Sequence, residues 1–347
     1  MYIKELTELN GVSSNEDEVR EFIKSHAKEL ADEINVDSMG NVIAFKKGKR
    51  SKYKVMLSAH MDEVGFMVTG FGENGVLKFA AVGGMDERIL PGKRVLVGDK
   101  NIPGVIGSKP IHMQERDERT TNIKLKRMYI DIGTDKKDEA EKLVSLGDYA
   151  AFHSPYTEFG EGLVKAKALD DRVGCVILLE ALKETYEFDL YACFTVQEEV
   201  GLRGSEVAAF TVNPDLALVV EGTTCSDVPG VDKYEYSTIL GDGAALTIMD
   251  RTSYPNKNFV NYIYELAQKN GIPVQYKQTN SGGNDAGKIQ MSRAGVITAS
   301  ISVPCRYIHS PVSVMNQKDF DSCKDIVLAV LKDLGKNQNL IENMKRI

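Results

Sequence analysis

Two histidines carry the first chemical signal in this chain. His60 follows the apolar run 55–59, and His309 lies just beyond the apolar run 296–303. Asp62 stands two residues after His60, where extended backbone returns its side chain to the same face. A carboxylate in that position can accept the free ring N–H of a metal-bound imidazole and fix its tautomer. Acids stand at the ends of two more apolar runs: Glu198 and Glu199 after 190–196, and Glu221 after 216–220. Adjacent acids at a dry strand end repel one another unless a cation or a proton compensates them. Asp170 and Asp171 precede a helical stretch, where an aspartate can cap the helix or ligate. Together His60, Asp170, Glu198, Glu199, Glu221 and His309 form a mixed nitrogen and oxygen donor set suited to zinc or a similar divalent ion. The carboxylates are too many for one tetrahedral ion. A pair of ions sharing a bridging carboxylate uses them better, and leaves one acid free for proton transfer.

Elements that could position these residues are legible in the spacing. The apolar runs read as buried strands, and between them 173–183 and 258–269 have helical periodicity. Strands alternating with helices predict an α/β fold, a mixed sheet with helices on both faces, whose polar active residues gather at strand ends. A Ser cap and early acids predict a further helix beginning near residue 16. Residues 67–162 read differently. Short runs such as 76–80, 94–97 and 128–132 alternate with Gly and Pro breaks, the pattern of an inserted small all-β domain. Residues 1–66 and 163–347 then make the catalytic domain. His26, His112 and His153 read as ordinary structural histidines.

Composition narrows the classes. The chain has 347 residues, 42% hydrophobic and 27% charged, with a formal net charge of −7. A mildly acidic balance lacks the basic footprint of nucleic-acid binding. No apolar stretch is long enough for a membrane span, and the amphipathic N-terminus does not read as a secretion signal. The five cysteines are scattered, without a Cys-x-x-Cys pair, as expected of reduced residues in a cytoplasmic protein. No Gly-x-Ser-x-Gly elbow marks a serine nucleophile.

His60-Met61-Asp62-Glu63-Val64-Gly65, Gly83-Gly84-Met85-Asp86-Glu87-Arg88, Ala168-Leu169-Asp170-Asp171-Arg172, Gln197-Glu198-Glu199-Val200-Gly201, Gly282-Gly283-Asn284-Asp285-Ala286-Gly287 and Arg306-Tyr307-Ile308-His309 together resemble the TET-type metalloaminopeptidases. That family includes glutamyl aminopeptidases and relatives labelled as endoglucanases. The resemblance runs in order along almost the whole chain. It implies a metal-dependent aminopeptidase that removes N-terminal residues from peptides through a water activated by two divalent ions, zinc by first expectation with cobalt or manganese as alternatives. By matching motif, Asp170 bridges the ions, His60 and Glu221 complete one shell, and Glu199 and His309 the other. Glu198 is the general base and Asp62 orients His60. A cis peptide is implied between Asp170 and Asp171. Asp285 is either a substrate-binding residue near the peptide amine or a loop residue holding its own turn. Glu221 departs from the aspartate usual in the nearest relatives, one methylene longer, and is kept as a ligand. The inserted domain resembles the family's dimerisation domain, so a homo-oligomer from dimer to tetrahedral dodecamer is expected. Alternatives on the same residues are another two-metal amidohydrolase, such as a deacylase or carboxypeptidase, and a glycoside hydrolase.

Overall fold

Near-continuous apolar runs suit strands covered on both faces, and that is where they lie. In the computed structural model, which describes residues 2–336 and 340–344, strands Asp189–Thr195, Lys54–His60, Leu216–Cys225 and Ile297–Arg306 sit side by side in that order, all parallel. Antiparallel strands extend this centre. Val42–Lys46 and Glu33–Val36 lie beyond Asp189–Thr195, and Ser313–Asn316, Leu163–Ala166 and Thr157–Phe159 beyond Ile297–Arg306. Ala244–Thr247 also pairs with Ile297–Arg306 and carries Val274–Lys277, completing an 11-stranded sheet.

Alternation along the central strands divides the core. Val55, Leu57 and Ala59 face one side, packed with residues of the helices Leu169–Ala181 and Gln317–Lys336. Met56, Cys193, Ala217 and Val219 face the other, under the helices Arg203–Val212 and Ala286–Ile289. His60, paired with Thr195, ends its strand on this second face. The expected ends of two runs need correction. The ladder continues through Gly222-Thr223-Thr224 to Cys225 and through Pro304 to Arg306, so Glu221 pairs with Ser302 inside its strand and not at its end. Backbone pairing, which hydropathy does not report, extends both strands. The helix predicted near residue 16 is Asp17–Ala27.

Between the His60 strand and the main sheet's return lies a closed barrel of six strands: Gly65–Phe71, Leu77–Val82, Met128–Asp131, Ile102–Ser108, Arg94–Val97 and Tyr149–Phe152. It has its own core, where Phe66 meets Phe79 and Phe152 edge-on at centroid distances of 4.9 and 5.1 Å. The hairpin Thr157–Phe159 with Leu163–Ala166 belongs to the large sheet. Among the described residues no helix is long and apolar enough to cross a membrane, and all five cysteines are buried and unpaired.

Candidate metal centre

The C-terminal edge of the parallel strands brings the polar residues together. His60 is nearly fully buried, and its Nε2 stands 3.4 Å from Asp170 Oδ1 and 3.9 Å from Glu198 Oε2. His309 Nε2 stands 3.7 Å from Asp170 Oδ2 and 3.2 Å from Glu199 Oε2. The two oxygens of Asp170 therefore address two different imidazoles. Glu198 and Glu199, neighbours in the chain, diverge toward one imidazole each.

Asp170 and Asp171 divide the two roles open to an aspartate here. Asp171 caps: its Oδ1 accepts from the Gly174 amide (2.9 Å), and its Oδ2 accepts from the His60 amide (3.0 Å), tying the helix to the strand end. Asp170 points into the cluster. The peptide between them is cis. Gly222 is required opposite, because a Cβ there would lie 2.9 Å from Asp170 Cβ.

Asp62 organises more than one neighbour. Its carboxylate is 3.4 Å from His60 Nδ1, although the closer partner of that nitrogen is the Asp62 carbonyl, at 3.1 Å. Asp62 Oδ1 accepts from the Glu198 amide (3.0 Å), and Oδ2 accepts from the Glu199 amide (3.1 Å) and the Ser13 hydroxyl (2.6 Å). Gln197, which opens this turn with φ +56°, donates its amide to buried Glu16 (3.3 Å). Such a left-handed non-glycine residue persists only where its surroundings hold it. His309 itself has φ +54°.

Glu221 lies in the same neighbourhood but is anchored separately. Its Oε1 accepts from Asn284 Nδ2 (2.8 Å) and from Ser302 (3.4 Å). Among the described residues the tightest donor groups are His60, Glu198 and Glu199, and Asp170, Glu199 and His309, each within 4.8 Å. Glu221 stands in neither. Asp285 does not line the cleft. It is buried beside the His60 strand, where Oδ2 accepts from Thr195 (2.7 Å). The barrel reaches the centre through Gly83: a Cβ at that residue would lie 2.8 Å from Val64 and 3.4 Å from Glu199 Cβ.

Electrostatics test whether this donor set fits a metal. Burial, reinforced by Asp170, pushes Glu199 up to about 7 and Glu221 up to about 8. Burial and the charge of Glu199 raise Glu198 well above the ordinary carboxylate range, against the pull of His60. Asp170 goes the other way: burial opposes ionisation, but hydrogen bonds to His309 and His60 hold it low. Burial likewise disfavours the charged form of His309, yet Asp170 and Glu199 lift it to about 9. Among the described residues, the two imidazoles are the only cationic partners within 4.0 Å of Asp170, Glu198 and Glu199. Four carboxylates with Glu221, set against two imidazoles, leave an excess of negative charge in a buried site, and a pair of divalent ions would balance it. The residues fit such ions in charge and in donor chemistry.

Sequence reasoning missed Ser13, Glu16 and Asn284, which hold the ligand-bearing segments in place. Asn284 stands inside the quoted Gly282–Gly287 motif, but its partner, like those of Ser13 and Glu16, is met only through tertiary folding.

Residues 40–326 match the family model described as M42 glutamyl aminopeptidase. The chain is 36% identical to a TET aminopeptidase from the marine sediment archaeon Thaumarchaeota archaeon SCGC AB-539-E09, with a TM-score of 0.95 covering 99% of this chain and 97% of that one. The TET1 peptidase of Pyrococcus horikoshii, which can assemble into a tetrahedron or a large octahedral shell, is 33% identical with a TM-score of 0.84, covering 95% and 98%. A lysyl aminopeptidase of Pyrococcus furiosus is 33% identical over 96% of each chain.

Proposed function

The chain belongs to the M42 glutamyl aminopeptidase family, a family of metal-dependent peptide hydrolases, and from that premise we propose that it removes N-terminal residues from peptides by a two-metal mechanism. One observation carries the two-metal reading: Asp170 turns one oxygen to His60 and the other to His309. In this reading Asp170, His60 and Glu221 would hold one ion, and Asp170, Glu199 and His309 the other. When bound, the ions supply Lewis-acid polarisation of the scissile carbonyl and acidify the attacking water.

The protein's own groups do the rest. Glu198 is the general base: its Oε2 takes the proton from the attacking water and returns it to the leaving amine. Asp62 holds the Glu198 and Glu199 amides on its two oxygens, so the base and a ligand move as one rigid turn. Zinc is the first expectation for the ions, with cobalt and manganese accepting the same donors. A glycoside hydrolase using Glu198 and Glu199 as its acid pair is disfavoured, because their donor atoms lie within 4.8 Å of each other and of His60, a cluster that suits a metal better than a sugar held between two acids.

Glu198→Gln is expected to lower kcat by roughly 10²–10⁴-fold while metal analysis finds both ions retained. Peptides with a free N-terminal amine should be cleaved and their N-acetylated counterparts rejected. Cleavage of the blocked peptides would favour a deacylase or carboxypeptidase on the same centre.

The barrel is proposed as the surface on which subunits pair and build a homo-oligomer up to a tetrahedral dodecamer. The P. horikoshii relative's assembly supports this, as do exposed Ile111 and Met113 on the barrel's long connection. Light scattering that gave a monomeric mass would oppose it. Five buried, unpaired cysteines support a reducing compartment such as the cytoplasm.

A further inference from the structure

Among the described residues only two lysines are buried, and they differ in one respect. Lys167 is satisfied, donating to Glu63 Oε1 (2.6 Å) and to the Leu9 carbonyl (2.6 Å). The side chain of Lys277, a residue 7% exposed, makes no hydrogen bond among the described residues and has no carboxylate within 4.0 Å. It ends the strand Val274–Lys277 and lines a cavity of about 440 Å³ that His60, Asp170, Glu198 and Glu221 also line. It is the one lysine or arginine on that lining among the described residues. Its charge reaches Glu221, where it opposes the rise caused by burial, but the two do not form an ion pair.

An ammonium on a mostly buried side chain, facing a cavity, is placed to meet an anion that enters it. The fold has satisfied its other buried lysine and left this one facing the cavity where a peptide's first residue must lie. Resting on the aminopeptidase reading above, we propose that Lys277 is a specificity determinant, the positive end of the pocket for the N-terminal side chain. It selects substrates beginning with glutamate or aspartate and disfavours those beginning with lysine or arginine. Family membership leaves this choice open, since the matched relatives carry both glutamyl and lysyl names. The substrate's side-chain carboxylate accepts from the ammonium. Glutamine has nearly the same shape without the charge, so it isolates the electrostatic part of the selection.

The test measures kcat/KM of the metal-supplemented protein on glutamyl, glutaminyl, leucyl and lysyl p-nitroanilides. Wild type is expected to prefer the glutamyl substrate. The ratio of glutamyl to glutaminyl rates should fall roughly 10- to 100-fold in Lys277→Met, the range of a hydrogen bond to a charged group. Lys277→Arg should keep the preference, and Lys277→Glu should turn it toward the lysyl substrate. Equal wild-type values for glutamyl and glutaminyl substrates would overturn the assignment. So would a Lys277→Met protein that slows on every substrate alike, the mark of a counter-charge for Glu221. Nitroanilides carry no peptide C-terminus, so a Lys277→Met effect seen only between a dipeptide and its C-terminal amide would also overturn it, assigning Lys277 to the α-carboxylate. A wild-type protein that cleaves none of the substrates would refute the aminopeptidase reading itself.

Discussion

Asp62→Asn perturbs the centre while removing very little volume. The aspartate is fully buried and accepts three hydrogen bonds, from the amides of Glu198 and Glu199 and from Ser13, at 3.0, 3.1 and 2.6 Å. Asparagine has one acceptor oxygen and one NH₂. If its oxygen stays on the Glu198 amide, the NH₂ faces the Glu199 amide; if it flips, the reverse holds. Ser13 can rotate its hydroxyl to accept, but a backbone N–H cannot. One amide of the turn is therefore left facing a donor, which costs about 1–3 kcal/mol. The surviving bonds also lose their charge assistance, which roughly halves them. The total, on the order of 2–4 kcal/mol, falls on the two residues that carry the base and a ligand. Metal affinity, read by competition with a chromogenic chelator, should drop roughly 10- to 100-fold, and kcat at saturating metal should drop with it. Circular dichroism should remain that of the wild type, because the substitution removes no apolar side chain from the sheet or barrel cores. Unchanged metal affinity together with unchanged kcat would refute the view that Asp62 holds the turn.

Chelation should abolish hydrolysis and lower the melting temperature, since each ion present at 100 times its Kd adds about 2.7 kcal/mol to stability; restoration by zinc, cobalt or manganese, followed by calorimetry, checks this. Asp319 provides a pH test away from the centre. It is fully buried and accepts from the Gly241 and Gly243 amides, yet burial raises it from 3.8 to about 6. The folded protein thus binds the proton more tightly than the unfolded chain. Asp319's contribution is fully present below pH 4 and lost as pH rises through 6, by roughly 3 kcal/mol at most. Urea unfolding of wild type and Asp319→Asn across pH 4–7 should show the difference between them changing in that window; a constant difference would refute it.

Much of the centre was legible because donor type and strand periodicity are local properties. Runs of apolar residues closing on His60, Glu198 and Glu199 announce strand ends, and Asp62 two residues past His60 announces a partner on the same face. The inserted β segment announced itself by its breaks, and it closes as a barrel around Phe66. Hydropathy could not say that the strand carrying Glu221 continues to Cys225. The extension is made by backbone pairing with a strand some eighty residues later in the chain.

Residue type and spacing settled which chemistry was available: two imidazoles and a surplus of carboxylates, each set beside an element that could hold it still. Tertiary structure alone decided how they were shared out. It turned Asp170 toward both imidazoles and Asp171 toward the backbone, buried Asp285 beside the His60 strand, and left the Lys277 side chain facing the cavity without a partner among the described residues. The reason is physical. Periodicity along one strand sets the face of a side chain, but its neighbours come from strand order and register, which join residues more than a hundred positions apart.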